Sequence, residues 1–343
     1  MKTFLEILEK ARKMNASDVH FLVNEVPVFR VNGKLIRVEE YEKIKKEEVN
    51  KFFLSVISER EKEVFKSEKE LDISFKTEDK NYRINIFLER KNIGMTVRII
   101  KQNPLSLKEL NINKKINDLL VEKNGLLIVS GKSGSGKSST LAGIIEKFNE
   151  ERNLNILTIE DPIEYIFKNK KSVIRQREVL VDTKSFLNGM KSALREDLDV
   201  IMVGELRDTK SLEMALMAAE TGHFVVSTLH TNGAVDTIDR MLSMFPSEKR
   251  NFMERIIASN LIGVVYQELI EGIDGNRVPL CEILKINNGI ANLIRNNKIS
   301  QIQSYIDISG RNGILNREQC LKWLLSNNKI SQDKYRNILR EIK

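Results

Sequence analysis

The segment Gly131-Lys132-Ser133-Gly134-Ser135-Gly136-Lys137-Ser138 constrains this chain more than any other, because it matches GxxxxGK[ST] at every specified position. Glycines at that spacing let backbone N–H groups curl around phosphate oxygens. A helix beginning directly behind them adds the positive end of its dipole at the same point. The flanks agree: Leu126-Leu-Ile-Val129 reads as a buried strand, and Ser139–Glu150 as the helix that follows. The candidate phosphate-binding residues are therefore Gly131, Ser133, Gly134, Ser135, Gly136, Lys137, Ser138 and Ser139. Lys137 is expected to reach the β- and γ-phosphates of a nucleotide, and the Ser138 hydroxyl to coordinate Mg2+.

Short apolar runs alternate with helical patterns around this loop: Leu126–Val129, Asn155–Ile159, Val200–Val203 and Phe224–Ser227. That alternation predicts an α/β unit, a parallel sheet with crossover helices. In such sheets ligands bind beyond the C-terminal ends of the strands, and each run ends in polar groups there. Thr158-Ile-Glu160-Asp161-Pro162-Ile-Glu164 places carboxylates where they hold magnesium-bound water, orient the attacking water, or serve as helix caps. Asp199-Val-Ile-Met-Val203-Gly204-Glu205 resembles the second motif of phosphate-loop ATPases, with Gly204 in place of the usual metal-side Asp. Glu205 is left as the strand-end carboxylate that activates water. Thr228 and His230 end the fourth run where a side chain can sense a γ-phosphate, although a lone His more often serves as a satisfied structural residue. His223 and His230, seven apart on one strand, fall on opposite sides of the pleat and do not share a metal.

At 343 residues the chain is too long for one ordinary core and predicts two main folded units. Residues 1–100 read as a small α+β domain, 101–112 as a linker around Pro104, 113–287 as the phosphate-loop domain and 288–343 as a helical C-terminal region. In the first domain Asn32-Gly33 marks a hairpin, and Val49, Phe52, Phe53, Val56 and Ile57 recur at helical spacing. Alternation in Tyr82–Ile100 sets Tyr82, Ile84, Ile86 and Leu88 on one face with Arg83 on the other, then separates Met95, Val97 and Ile99 from Arg98. Such strands fit a sheet covered on one side. Two cysteines, Cys281 and Cys320, form no CxxC pair, and no apolar run approaches the roughly 18 residues of a membrane span. With charges interrupting the N-terminal apolar stretch, the expectation is a cytoplasmic protein in a reducing compartment. The formal charge is +8, yet residues 102–235 balance 18 basic against 18 acidic side chains, so no nucleic-acid binding is expected.

Taken together these motifs resemble the secretion and type IV pilus ATPases, most closely the PilT-type retraction ATPases of twitching motility. The resemblance runs from Ala16-Ser-Asp18-Val-His20 through the phosphate loop, Ile156–Tyr165, Ile174–Val179 and Leu194–Asp208 to Ala218–Arg240. It implies a RecA-like ATPase domain, a smaller N-terminal PAS-like α+β domain, a helical tail, and ATP with Mg2+ bound in a homo-hexameric ring. It also implies an inner-membrane pilus platform protein as partner, which would hold the cytoplasmic ring against the membrane. Glu160 and Glu164 become Asp-box carboxylates, Glu160 with Ser138 on the metal side, Glu205 the catalytic carboxylate, and His230 the His-box residue. Arg83 and Arg98 match arginines that approach the phosphates from the N-terminal domain. Extension and type II secretion relatives carry a four-cysteine zinc element that two cysteines cannot supply. Gly289-Ile-Ala-Asn292-Leu293-Ile294-Arg295-Asn296 partly matches the retraction signature AIRNLIRE, with Ala291 replacing the inner Arg and Asn296 the terminal Glu. Leu293 and Ile294 either dock on the ring or a partner, or pack a core within the tail. The alternatives are a pilus-assembly or type II secretion ATPase, a RecA-like nucleic-acid motor, or a nucleotide-regulated adaptor that does not hydrolyse.

Overall fold

The computed structural model describes residues 2–31, 33–77, 80–102, 104–309 and 314–342. The chain divides into two compact units, Met1–Gln102 and Asn103–Lys343. The expected linker is no free connector: Leu107 and Ile112 are buried in the core of the second unit.

The first unit is a six-stranded sheet in which every neighbouring pair is antiparallel. Across the sheet the order is Lys34–Arg37, Val28–Val31, Ala16–Phe21, Asn92–Ile99, Asn81–Glu89 and Glu70–Lys76. Val28–Val31 and Lys34–Arg37 form the expected hairpin, with Gly33 at φ 82°; Asn32 lies outside the described residues. Alternation decides the faces. Tyr82, Ile84 and Ile86 are buried on the apolar side, whereas Leu88, next to the Arg90-Lys91 turn, is exposed. Helices Lys2–Lys13 and Lys46–Val56 meet that side through an aromatic seam. Phe4 stacks on Phe52 with ring centroids 4.6 Å apart and lies 4.7 Å from Phe21. Each such pair adds about 0.5–1.5 kcal/mol beyond its buried area.

The second unit is built on an eight-stranded sheet. Val173–Glu178, Asn155–Glu160, Val200–Val203, Phe224–Leu229, Gly125–Ser130 and Leu261–Glu271 run parallel in that order, and Arg277–Lys285 and Ile314–Leu315 complete it antiparallel. The period of two in the central strand explains the layers. Leu126 and Ile128 face one core while Leu127 and Val129 face the other, all four fully buried. The expected helical tail contains the strand Ile314–Leu315, and its helices close both faces of the sheet. Helices Asn288–Arg295 and Ser300–Ser309 pack on the side of Leu126, helices Arg317–Ser326 and Gln332–Ile342 on the side of Leu127. Ile294 is fully buried and Leu293 partly buried against that shared core. Both residues thus dock on the core of the second unit itself, one of the two expected arrangements, and do not form a core of the tail's own.

Candidate active site

Three glycines shape the loop between strand Gly125–Ser130 and helix Lys137–Glu151: Gly131, Gly134 and Gly136 have φ of 146°, 74° and 87°. At Gly131 a Cβ would stand 2.2 Å from the Gln267 carbonyl oxygen, so a side chain would displace the neighbouring strand. Gly136 caps the helix and, lacking a side chain, makes no cap hydrogen bond, which leaves first-turn N–H groups for an anion. The Lys137 ammonium is buried and lies across the loop, donating to the carbonyls of Gly131 at 2.8 Å and Lys132 at 3.0 Å. Burial lowers its pKa, and the carboxylates of Glu205 and Glu164 act in the opposite direction. Ser135 is buried with its hydroxyl unpartnered by protein. An orphaned hydroxyl, an uncapped helix end and a lysine held over carbonyls fit a bound phosphate chain. Ser133 and Gly134 form the exposed tip, and Ser139 Oγ shares a 2.8 Å hydrogen bond with the Tyr165 hydroxyl.

The acidic segment after strand Asn155–Glu160 splits into two roles. Glu160 is buried and accepts from Thr158 Oγ1 at 2.7 Å, from Gln176 Nε2 at 3.3 Å and from the Glu164 N–H at 3.4 Å. Burial pushes its carboxyl up to about 7 despite those donors. Glu164 is the carboxylate brought to the loop: Ser138 Oγ donates to its Oε1 at 3.0 Å. Ser138 and Glu164 therefore present two adjacent hard oxygens of the kind Mg2+ takes, with Glu160 behind them.

Glu205 stands just past strand Val200–Val203 on a turn held by backbone. The Gly204 N–H donates to the Ile159 carbonyl at 2.8 Å and the Leu206 N–H to the Thr228 carbonyl at 3.1 Å. Thr228 Oγ1 donates to the Gly204 carbonyl at 2.7 Å, so this hydroxyl braces the turn instead of facing a ligand. His230 is exposed, with Nε2 3.5 Å from Glu205 Oε2. Arg207, which the sequence reading did not single out, bonds Glu205 through Nε and reaches Asp161 Oδ2 at 3.4 Å. His223 sits at the other end of the strand Phe224–Leu229, bonded to the Ala218 carbonyl at 3.0 Å, far from any shared site with His230. Among the described residues no three of His, Cys, Asp and Glu cluster as metal ligands.

Arg83 and Arg98 lie in the first unit, directly opposite one another on adjacent strands. Like charges so placed repel, and two aspartates offset this. Arg98 Nε donates to Asp18 Oδ1 at 2.9 Å, and Arg83 is 3.5 Å from Asp72. A second residue missed in the sequence is Gln267, buried on strand Leu261–Glu271 and bonded to the loop through Ser135 and to the helix through Thr140. A polar side chain inside the apolar run LIGVVYQELIE was its only signal.

A family model described as "Type II/IV secretion system protein" matches residues 1–334. The chain belongs to that family. This type II/IV secretion family chain is 36% identical over 332 residues to the type IV pilus retraction ATPase PilT of Pseudomonas aeruginosa, covering 96% of each. It is 40% identical over 301 residues to a twitching motility protein of Neisseria gonorrhoeae, covering 87% of this chain and 80% of that one. A crystal structure of the pilus retraction motor PilT with bound ADP superposes with a TM-score of 0.88 at 38% identity, covering 96% of this chain and 95% of the other. The mixed α/β architecture, with its parallel sheet behind a phosphate loop, is the fold of that motor.

Proposed function

We propose that this chain is an ATP hydrolase that drives type IV pilus retraction and twitching motility, working as a homo-hexamer on the cytoplasmic side of the inner membrane against a platform protein of the pilus machine. The observation that carries the catalytic reading is the placement of Glu205 on a braced turn at the end of strand Val200–Val203, on the same edge of the parallel sheet as the phosphate loop. The reach of the resemblance, 96% of both chains to a retraction ATPase, supports the biological role. No helix among the described residues is long and apolar enough to cross a membrane.

In this reading Lys137 exchanges the carbonyls of Gly131 and Lys132 for the β- and γ-phosphates, joined by the N–H groups of the first helical turn. Glu205 accepts the proton of the attacking water, which adds to the γ-phosphorus as the bond to the leaving ADP oxygen breaks. His230 and Arg207 hold that carboxylate in place. Mg2+, when bound at Ser138 and the acidic segment of Glu160 and Glu164, neutralises charge on the phosphates. Arg83 and Arg98 supply further positive charge to them in the ring. Purified full-length protein should release phosphate from ATP in the presence of Mg2+ at a rate unchanged by added DNA. Binding without turnover would replace this reading with a nucleotide-regulated adaptor, and stimulation by DNA would replace it with a nucleic-acid motor.

A further inference from the structure

Strand Leu261–Glu271 runs parallel to the loop's own strand with Tyr266 opposite Ser130, so the next residue, Gln267, falls beside Gly131. Its amide is almost wholly buried and satisfied at both ends. Nε2 donates to the Ser135 carbonyl at 2.6 Å, and Oε1 accepts from Thr140 Oγ1 at 2.7 Å. Thr140 is in the first turn of helix Lys137–Glu151, where its N–H donates to the Gly136 carbonyl at 3.1 Å. One side chain thus ties together the loop, the helix and the neighbouring strand. A carboxylate lacks the donor, and an alkyl chain lacks both functions.

In a trans peptide the carbonyl and the following N–H point in opposite directions. Drawing the Ser135 carbonyl onto Gln267 therefore turns the Gly136 N–H away from that strand, to the side where the uncapped helix end awaits an anion. Released, this glycine-flanked peptide can rotate and present its carbonyl oxygen to the phosphates instead, which repels them. We infer that Gln267 is a positioning residue for nucleotide binding, setting the orientation of the Ser135–Gly136 peptide in the phosphate loop. The inference rests on the ATP-binding reading above and adds to it a residue outside every motif.

The test compares full-length wild type, Gln267→Met, Gln267→Glu and Thr140→Val by KM and kcat for ATP, Kd for ADP, and Tm without nucleotide. Gln267→Met should raise KM and Kd at least about 10-fold, equivalent to about 1.4 kcal/mol, with a smaller change in kcat. Thr140→Val, which leaves the bond to Ser135 in place, should change KM less. Gln267→Glu should raise KM at neutral pH, and the ratio of its KM to that of wild type should fall as the pH is lowered, because a protonated carboxyl regains the donor. A Gln267→Met protein with wild-type KM and Kd overturns the inference, whatever its Tm. Should that variant fail to fold, a flat pH dependence of the Gln267→Glu ratio overturns it equally. Wild-type protein that binds no nucleotide removes the ATPase reading itself, a result distinct from either.

Discussion

Ser138 Oγ and Glu164 Oε1 are 3.0 Å apart, which joins the end of the phosphate loop to the far end of the acidic segment. The nearer carboxylate, Glu160, instead receives three hydrogen bonds of its own and is pushed toward the neutral form. The two carboxylates therefore differ in availability to a cation. Glu164→Ala and Ser138→Ala should each raise the Mg2+ concentration needed for half-maximal ATP turnover, and by more than Glu160→Gln does. Equal Mg2+ titrations for wild type and Glu164→Ala would move the metal contact back to Glu160.

Glu205→Gln keeps the size of the side chain and removes the charge that takes a proton from water. It should bind ATP and turn over at least about 100-fold more slowly, the usual scale for losing a general base. Single-turnover phosphate release with parallel nucleotide binding checks this. Turnover within a few-fold of wild type would shift the base to Glu160.

Burial raises the Glu160 pKa to about 7 from an ordinary carboxylate value of 4.5. A raised carboxyl pKa means that the folded state keeps its proton while the unfolded chain loses it. The contribution to stability is then fully present below about pH 4.5 and declines as pH rises to about 7. Glu160→Gln, permanently neutral, should lose less stability over that window. The difference in unfolding midpoint between variant and wild type, measured without nucleotide from pH 5 to 8, should grow in favour of the variant. A constant difference would mean that Glu160 is ionised throughout.

Arg83 and Arg98 sit on one sheet face, each held by an aspartate of its own unit. If they reach phosphates of a neighbouring subunit in the ring, Arg98→Ala and Lys137→Ala, each inactive alone, should recover some ATPase activity when mixed. An interface can then pair an intact loop with an intact arginine. No recovery on mixing would place the arginine's action within its own subunit.

How much was legible in the sequence follows from how local each feature is. Residues 131–138 are contiguous, so the loop could be read directly, and the four strands at 125, 155, 200 and 224 showed as apolar runs. The hairpin Leu261–Lys285 was not read from the sequence: its turn pair Asp274-Gly275, with Gly275 at φ 70°, is a local signal, but Pro279 argues against the second strand. Arg277–Lys285 tolerates the proline as an outer strand, since its other side pairs only at Ile283 and Leu284. Within the site, spacing could nominate Glu160 and Glu164 but not tell which meets Ser138. That depends on the segment folding back so that the Glu164 N–H bonds Glu160. Thr228 looked like a ligand group because strand ends are polar; its hydroxyl's actual partner, the Gly204 carbonyl, lies on another strand's exit. Gln267 meets Ser135 across 132 residues, a distance no local pattern spans.

Retraction of pili by this ATPase is tested most directly in a strain lacking its gene, complemented in parallel by wild type and by Glu205→Gln. Surface pili are counted by electron microscopy and twitching is scored on the same cells. A retraction motor returns pilin to the membrane, so its loss leaves extension unopposed. The deletion strain should keep or gain pili while losing twitching, and wild type should restore movement where Glu205→Gln does not. Cells without surface pili would contradict retraction and identify an extension motor instead.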